Sequence, residues 1–442
     1  MKSTKYIVIL FLTIFVSQSY GNYEIPSSFN PVGSGGRAAG ISAFIGLADD
    51  ATGASWNPGG LVLQESLFEF SLNYACFFRS ENNEMLKNPA GNKLNRIYDS
   101  NLNYLGMIST FESFDMNMSF GLTYQHLYDF NRSWNFIYKE NSTGIRRNEN
   151  WNYDQTGSLS AIGLSYGIEV IRPKLLLGFT LNLWEDSLTK NKWKQVYHMT
   201  GTGVLGENNP FIRKSNKTEV YSFQGLNMNF GLIWMINHTF TLGAVLKTSF
   251  TADIEHRVYG ESSTMFPLNP IGNRVRQEDE TKEETLYMPM SFGIGMVYKH
   301  SDQFYMSFDL YRTQWDKFVY TEDNGKKFSP ISDRPLSKSN VDPTHQVRIG
   351  AEYLIINKNI NSAIPLRAGL FYDPAPSENS PDDFYGLSLG TGFIKNDFGS
   401  IDIAYMFRYG NNVASSTLEE LGFSQDVKEH MIYLSMIYYF FK

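Results

Sequence analysis

Residues 115–130 read DMNMSFGLTYQHLYDF. Met116, Met118, Phe120, Leu122, Tyr124 and Tyr128 fall on one side of an alternating pattern, and Asn117, Ser119, Gly121, Thr123, Gln125 and Asp129 fall on the other. Side chains of a strand point alternately to opposite faces, so this is a strand with one apolar and one polar face. It is also long. Soluble strands average about 5–6 residues, whereas a bilayer is crossed by about 9–11 residues of tilted strand.

The pattern repeats along the chain. In 223–236, Leu226, Met228, Phe230, Leu232 and Trp234 oppose Gly225, Asn227, Asn229 and Gly231. In 401–409, Ile401, Ile403, Tyr405, Phe407 and Tyr409 oppose Asp402, Ala404 and Arg408. Strands are expected near 66–78, 101–112, 116–130, 156–169, 174–186, 221–236, 239–259, 284–299, 303–317, 345–356, 364–373, 383–394, 399–410 and 429–441. About fourteen strands is an even number of the kind single-chain bacterial barrels use.

Several links are short, such as ESFD, IRPK and KNDFG, while 187–220 and 260–283 are long and polar. Short turns at one end and long loops at the other fit an outer-membrane β-barrel, with the turns in the periplasm and the loops outside. Closure meets a physical need, because no backbone N–H or C=O can be left unpaired in hydrocarbon. The final stretch, HMIYLSMIYYFFK, is aromatic almost to its end, with Lys442 after Phe441. A soluble β-sandwich would alternate too, but it does not explain strand length, loop asymmetry and aromatic content together.

The 442 residues include 33 Phe, 27 Tyr and 36 Gly, but one Cys. Cys76 has no partner for an internal disulfide and is read as a small buried filler. At the N-terminus Lys2 and Lys5 precede the apolar run YIVILFLTIFV, and Ser19 and Gly21 follow. This is a secretory signal peptide over 1–21, too short to span a membrane as a helix. The formal charge of −7 becomes −9 once it is removed, which disfavours nucleic acid as a partner.

Between the signal and the first strand lies GGRAAGISAFIGLADDATGASWNPGGL, residues 35–61. A fourteen-strand barrel is wider than the ~8 strands whose side chains fill the interior. A compact glycine-rich segment suits that space, because glycine bends tightly at little cost. Residues 22–64 are therefore expected to form a plug, and 65–442 the barrel.

The segment resembles the hatch of the FadL-type outer-membrane transporters of long-chain fatty acids and aromatic hydrocarbons. Asn57-Pro58-Gly59 stands where the family has an Asn-Pro-Ala element. DLYRTQWDKF (309–318), HQVRIGAEYL (345–354), IPLRAGLFYDPAPSENSPDDFYGLSLGTGF (364–393) and IKNDFGSIDIAYMF (394–407) are similar to family segments in the same order. The resemblance implies an all-β transmembrane barrel in the bacterial outer membrane, among its lipid and lipopolysaccharide. It implies a monomer that passively carries hydrophobic small molecules. The ligand would enter from the loops, bind an apolar pocket, and leave sideways through a gap at a kink in the third strand. Gly121 is the kink candidate, with Asn57, Pro58 and Gly59 below it; a lumen glycine making room for the plug is the plainer reading of Gly121.

Asp49 and Asp50 need cationic partners in a lumen. Alternation offers Arg348, Arg367 and Arg408, with Glu352 and Asp402 as counter-charges. An internal ion network is the favoured reading; an arginine holding a ligand carboxylate is the other. No nucleotide loop, zinc motif or other catalytic signature is present, so neither an enzyme nor a cofactor is expected. Two further classes stay open at this stage: a FadL-like carrier or docking protein for secreted surface proteins, and a general porin, which the plug argues against.

Overall fold

The structure, a computed structural model, describes residues 32–64 and 66–440. The expected signal peptide, 1–21, and residues 22–31 of the expected plug lie outside them. Among the described residues no helix is long and apolar enough to cross a membrane.

The strands are β1 (Phe68–Met85), β2 (Lys93–Ser113), β3 (Met116–Asp129), β4 (Arg132–Ser142), β5 (Ile145–Ile171), β6 (Leu175–Trp184), β7 (Lys192–Leu205), β8 (Asn209–Met235), β9 (Phe240–Lys247), β10 (Phe250–Met265), β11 (Arg274–Met288), β12 (Ser291–Lys299), β13 (Phe304–Thr313), β14 (Val319–Thr321), β15 (Lys327–Ser329), β16 (Arg334–Pro335), β17 (Thr344–Asn357), β18 (Ser362–Tyr372), β19 (Tyr385–Lys395), β20 (Gly399–Val413) and β21 (Phe423–Phe440). Fourteen of them form a closed antiparallel barrel, in which β21 returns to pair with β1 from Phe68↔Phe440 to Met85↔Phe423. The other seven, β4, β7, β10, β11 and β14–β16, all lie at the long-loop end.

Faces follow the alternation. Ser119, Gly121, Thr123 and Gln125 of β3 are buried, whereas Phe120 and Leu122 are more than half exposed. The same holds around the wall, where Leu164, Ile294, Leu370 and Ile401 stand on the outer surface. An apolar belt this continuous is a lipid-facing surface, since soluble monomers rarely expose more than a few hundred Å² of contiguous apolar area. Cys76 belongs to this outer face, half-buried between the exposed Tyr74 and Phe78, and is not a core filler.

Two expectations are corrected at the long-loop end. The stretches 239–259 and 284–299 are each two strands, broken at 248–249 and 289–290, where the chain leaves the barrel. The long links 187–220 and 260–283 are largely strand: β7, the upper part of β8, and the β10–β11 hairpin. With β4 and upper β5 they extend the barrel wall as a tall sheet paired β4–β5–β7–β8–β10–β11–β14. β5 and β8 run 27 residues each, far past the 9–11 a bilayer needs. Outside the membrane both sheet faces can be polar, so the alternation that reveals spanning strands disappears there.

Residues 32–64 lie inside the barrel. They form two short helices, α1 (Gly36–Ile41) and α2 (Gly53–Trp56), and a 3₁₀ turn over Pro58–Leu63. Ala38, Ile41, Phe44, Ile45, Ala48, Ala54 and Leu61 are fully buried.

Candidate ligand passage

The passage begins with how the lumen holds residues 32–64. Polar side chains on the inner wall bond directly to their backbone. Asp309 Oδ2 accepts from Phe44 N at 2.6 Å and Ile45 N at 3.0 Å, Glu69 Oε1 from Ala51 N at 2.6 Å, and Asn73 Oδ1 from Gly36 N at 2.9 Å. Ser307 Oγ donates to Ala43 O at 2.8 Å, and Thr180 Oγ1 to Ala54 O at 2.9 Å. The wall also makes room: a Cβ at Gly350 would collide with the Ile41 carbonyl, and one at Gly231 with the Asn57 side chain. The glycines on the polar faces therefore mark close backbone approach.

The wall itself is incomplete at one place. The β2–β3 ladder runs from Ser113↔Met116 up to Tyr104↔Gln125 and stops there. Above that point β2 pairs only with β1, and β3 only with β5. Each strand carries an extra residue at the separation. Asn103 bulges opposite Asn73/Tyr74, and Leu127 bulges between the paired His126 and Tyr128. A bulge bends its strand and re-aims side chains. Its effect here is to turn Tyr128 into the lumen, where its ring lies 6.5 Å from Trp184; alternation alone had placed Tyr128 on the lipid face. Side chains alone bridge the seam here: Asn103 Nδ2 donates to His126 O at 3.4 Å, and a hydrogen bond joins the Asp99 and Asp129 carboxyl groups.

Behind the seam lies a cavity of about 100 Å³. Phe77, Leu127, Tyr128, Phe130, Met431 and Tyr433 supply apolar lining, and Gly33 and Ser34 a floor. Arg79 and Arg132 border it, and their charge is answered: Arg79 meets Glu81 at 2.6 Å and Glu429 at 2.8 Å, and Arg132 lies 3.7 Å from Glu81. Above the cavity the upper lumen is packed with aromatic and aliphatic side chains, among them Phe130, Trp184, Trp193, Tyr221 and Phe223. Apolar side chains thus line the lumen from the long-loop end down to the cavity behind the seam.

The profile of the outer membrane protein transport protein family (OMPP1/FadL/TodX) matches residues 29–440. The chain belongs to the FadL/TodX family of outer-membrane transport proteins. Its fold is that of a Pseudomonas aeruginosa FadL homologue (13% identity, 93% of this chain and 99% of the other, TM-score 0.57). It is likewise that of the Pseudomonas putida toluene transporter TodX (13%, 93% and 99%, 0.52) and of the CymD monoaromatic hydrocarbon channel (15%, 94% and 99%, 0.50). No curated protein sequence matches it.

In this FadL/TodX-family chain the residues singled out from sequence fall in three places. Asn57 is wholly buried; its Nδ2 donates to Ile45 O at 2.8 Å and Leu232 O at 2.9 Å, and its Oδ1 accepts from Gly59 N at 3.1 Å. Pro58 and Gly59 press on Gly178 of β6 and Gly231 of β8. The turn therefore sits mainly against β5, β6 and β8. Gly121 is not the irregular position: its pairing to Ile108 and Ser165 is continuous, and its missing Cβ makes room for the Ile108 side chain.

The charges form the third group. Asp49 and Asp50 meet Arg37, at 2.5 and 3.5 Å, and not an arginine of the wall. Arg37 also donates to Tyr305 Oη at 3.0 Å and lies 3.7 Å from Glu352, so it ties the segment to β13 and β17. Arg367 lies between Glu352 and Asp402, 2.5 Å from the latter. Arg408 holds Asp373 at 3.1 Å and Glu429 at 2.8 Å, and Arg348 stands 4.0 Å from Asp373. Arg37 was legible: it is the only cation in 22–64, beside two acids that need one.

Proposed function

We propose that the chain carries small uncharged hydrophobic compounds passively across the outer membrane, from the long-loop end to a lateral exit between β2 and β3. The observation that carries this reading is the coincidence, at one height, of an unpaired seam, paired bulges and a cavity whose lining joins apolar side chains such as Phe77, Leu127 and Phe130 to polar ones such as Asn101, His126 and Asp129. Water-filled diffusion straight through the barrel does not fit a lumen filled by residues 32–64. The arginines favour an uncharged ligand, because Arg367, Arg408 and Arg79 each already face two carboxylates. We therefore assign Arg348 and Arg367 to the internal network rather than to a ligand carboxylate. At about 100 Å³ the cavity is smaller than the void of about 150 Å³ that accommodates benzene, so only a compact ligand suits it, and side chains around it must shift to admit one. Toluene and other monoaromatic compounds, carried by two of the structural relatives, are the natural first candidates.

In this reading residues 1–21 are a cleaved export signal, residues 22–64 are a plug, and the long-loop end faces outward. The test is organic extraction of the purified protein with mass spectrometry of the extract, paired with toluene uptake by cells that do and do not express it. A bound apolar compound and faster uptake are expected. Uptake equal in the two strains would overturn the reading.

A further inference from the structure

The 30 residues 314–343 connect β13 to β17 and carry the short strands β14–β16. They are not a surface loop. Trp315, Phe318, Tyr320, Phe328 and Ile331 point into the upper lumen and pack among Trp184, Phe223 and other side chains of the wall. Trp315 and Phe318 are 2% and 1% exposed. The segment thus fills the space that an apolar ligand entering from the long-loop end must cross.

Its fastenings are peripheral and polar. Arg334 meets Glu378 at 3.2 Å and Glu419 at 2.6 Å, joining three neighbouring connections. Asn340 N donates to Glu378 Oε1 at 2.8 Å, and Asn379 N donates to Asn340 O at 2.7 Å. On the opposite side β14 adds three residue pairs to the edge of β11, and the Tyr320 hydroxyl donates to Glu284, which His256 also contacts at 2.8 Å. The seat is imperfect: among the described residues the buried indole N–H of Trp315 has no acceptor, whereas a buried Trp N–H usually finds one. The segment is therefore held to the barrel by side-chain packing and a few polar bonds, with only three ladder pairs to the wall, so it can move as a unit without breaking the barrel's own hydrogen-bonded sheet.

We propose that residues 314–343 form a lid whose own apolar side chains hold the ligand's place in the upper lumen, and that the lid withdraws to admit an apolar ligand. The inference rests on the hydrophobic-compound reading above. A ligand that binds only the withdrawn form shifts the population toward it.

The test locks the lid in a Cys76→Ser background. Asn340→Cys with Asn379→Cys joins the lid to its neighbour, where the two native side chains already touch, Nδ2 to Oδ1, at 3.3 Å. Ala252→Cys, wholly buried beneath the lid, reports opening through its reaction with a small maleimide, read at that position by peptide mass spectrometry. Labelling at 252 is expected to be at least tenfold slower in the oxidised than in the reduced protein. Equal rates in the two states overturn the lid. Where the disulfide does not form, Glu378→Ala in the reporter background is expected to speed labelling severalfold, and an unchanged rate overturns it. Redox-dependent labelling in a protein that never takes up toluene would instead sink the transport reading and leave the moving lid standing.

Discussion

Two residues show how much rests on single side chains here. Arg37 is the one cation of its segment and answers Asp49, Asp50 and Glu352 together. Arg37→Gln removes a charged hydrogen bond and leaves Glu352 and Asp50, both nearly inaccessible, with less cationic company. Hydrogen bonds to charged groups are worth about 1.5–3 kcal/mol, so the seat of the segment should weaken by that order. The expected readout is more frequent opening events in planar-bilayer recordings; a record identical to that of the unaltered protein would show that Arg37 is not an anchor. Asp333, in the lid, is the second. Burial is the main cause that pushes its carboxyl up to about 7, with Glu322 adding to the effect. A carboxyl raised in the folded state favours folding most below its unfolded value near 4, and that contribution is lost as pH rises to about 7. Hydrogen exchange at 329–335 should therefore quicken between pH 5 and pH 8, beyond the intrinsic pH effect on exchange. Asp333→Asn should remove the excess, and an excess that survives the substitution would assign the effect elsewhere.

At the scale of elements the seam is the decisive feature. Asn103→Cys with His126→Cys, in a Cys76→Ser background, should close it with a disulfide. Uptake of toluene should then fall by at least tenfold and recover on reduction, while toluene binding persists; uptake unaffected by a formed crosslink would move the exit to another part of the wall. The fourteen spanning strands were readable because lipid and lumen impose opposite polarity on alternate residues. The seam was not. A bulge adds one residue without changing composition, and Leu127 is as apolar as its neighbours. Gly121 drew attention because glycine often marks a bulge, but here it answers a neighbouring side chain, Ile108. The sheet beyond the membrane was hidden for the opposite reason. Stretches such as Arg274–Glu284 are polar on both faces, so only pairing with their partners reveals them as strands. Asn57 was singled out from the sequence, but its partners Ile45 and Leu232 are set by the fold and not by local sequence.

The whole molecule is organised around a conflict between width and tightness. Fourteen strands enclose more space than wall side chains can fill, so an empty barrel of this size would be an aqueous pore. Residues 32–64 occupy that space, bonded to the wall through Asp309, Glu69, Asn73 and Arg37. The same segment contributes Gly33 and Ser34 to the cavity behind the seam. If it is both stopper and floor, one deletion should produce two effects. Removing residues 22–64 behind an intact export signal should let sugars and bulky hydrophilic antibiotics pass, read as swelling of proteoliposomes and as drug sensitivity of cells. It should also reduce toluene uptake, because the ligand loses its floor and can escape into the open lumen before reaching the seam. Heat-modifiable migration must first show that the shortened chain still closes into a barrel, because an unassembled chain would mimic the loss of uptake. An assembled variant that neither leaks nor loses uptake would mean that the segment fills the lumen without sealing it. The lid and the wall alone would then have to account for both the barrier and the selectivity.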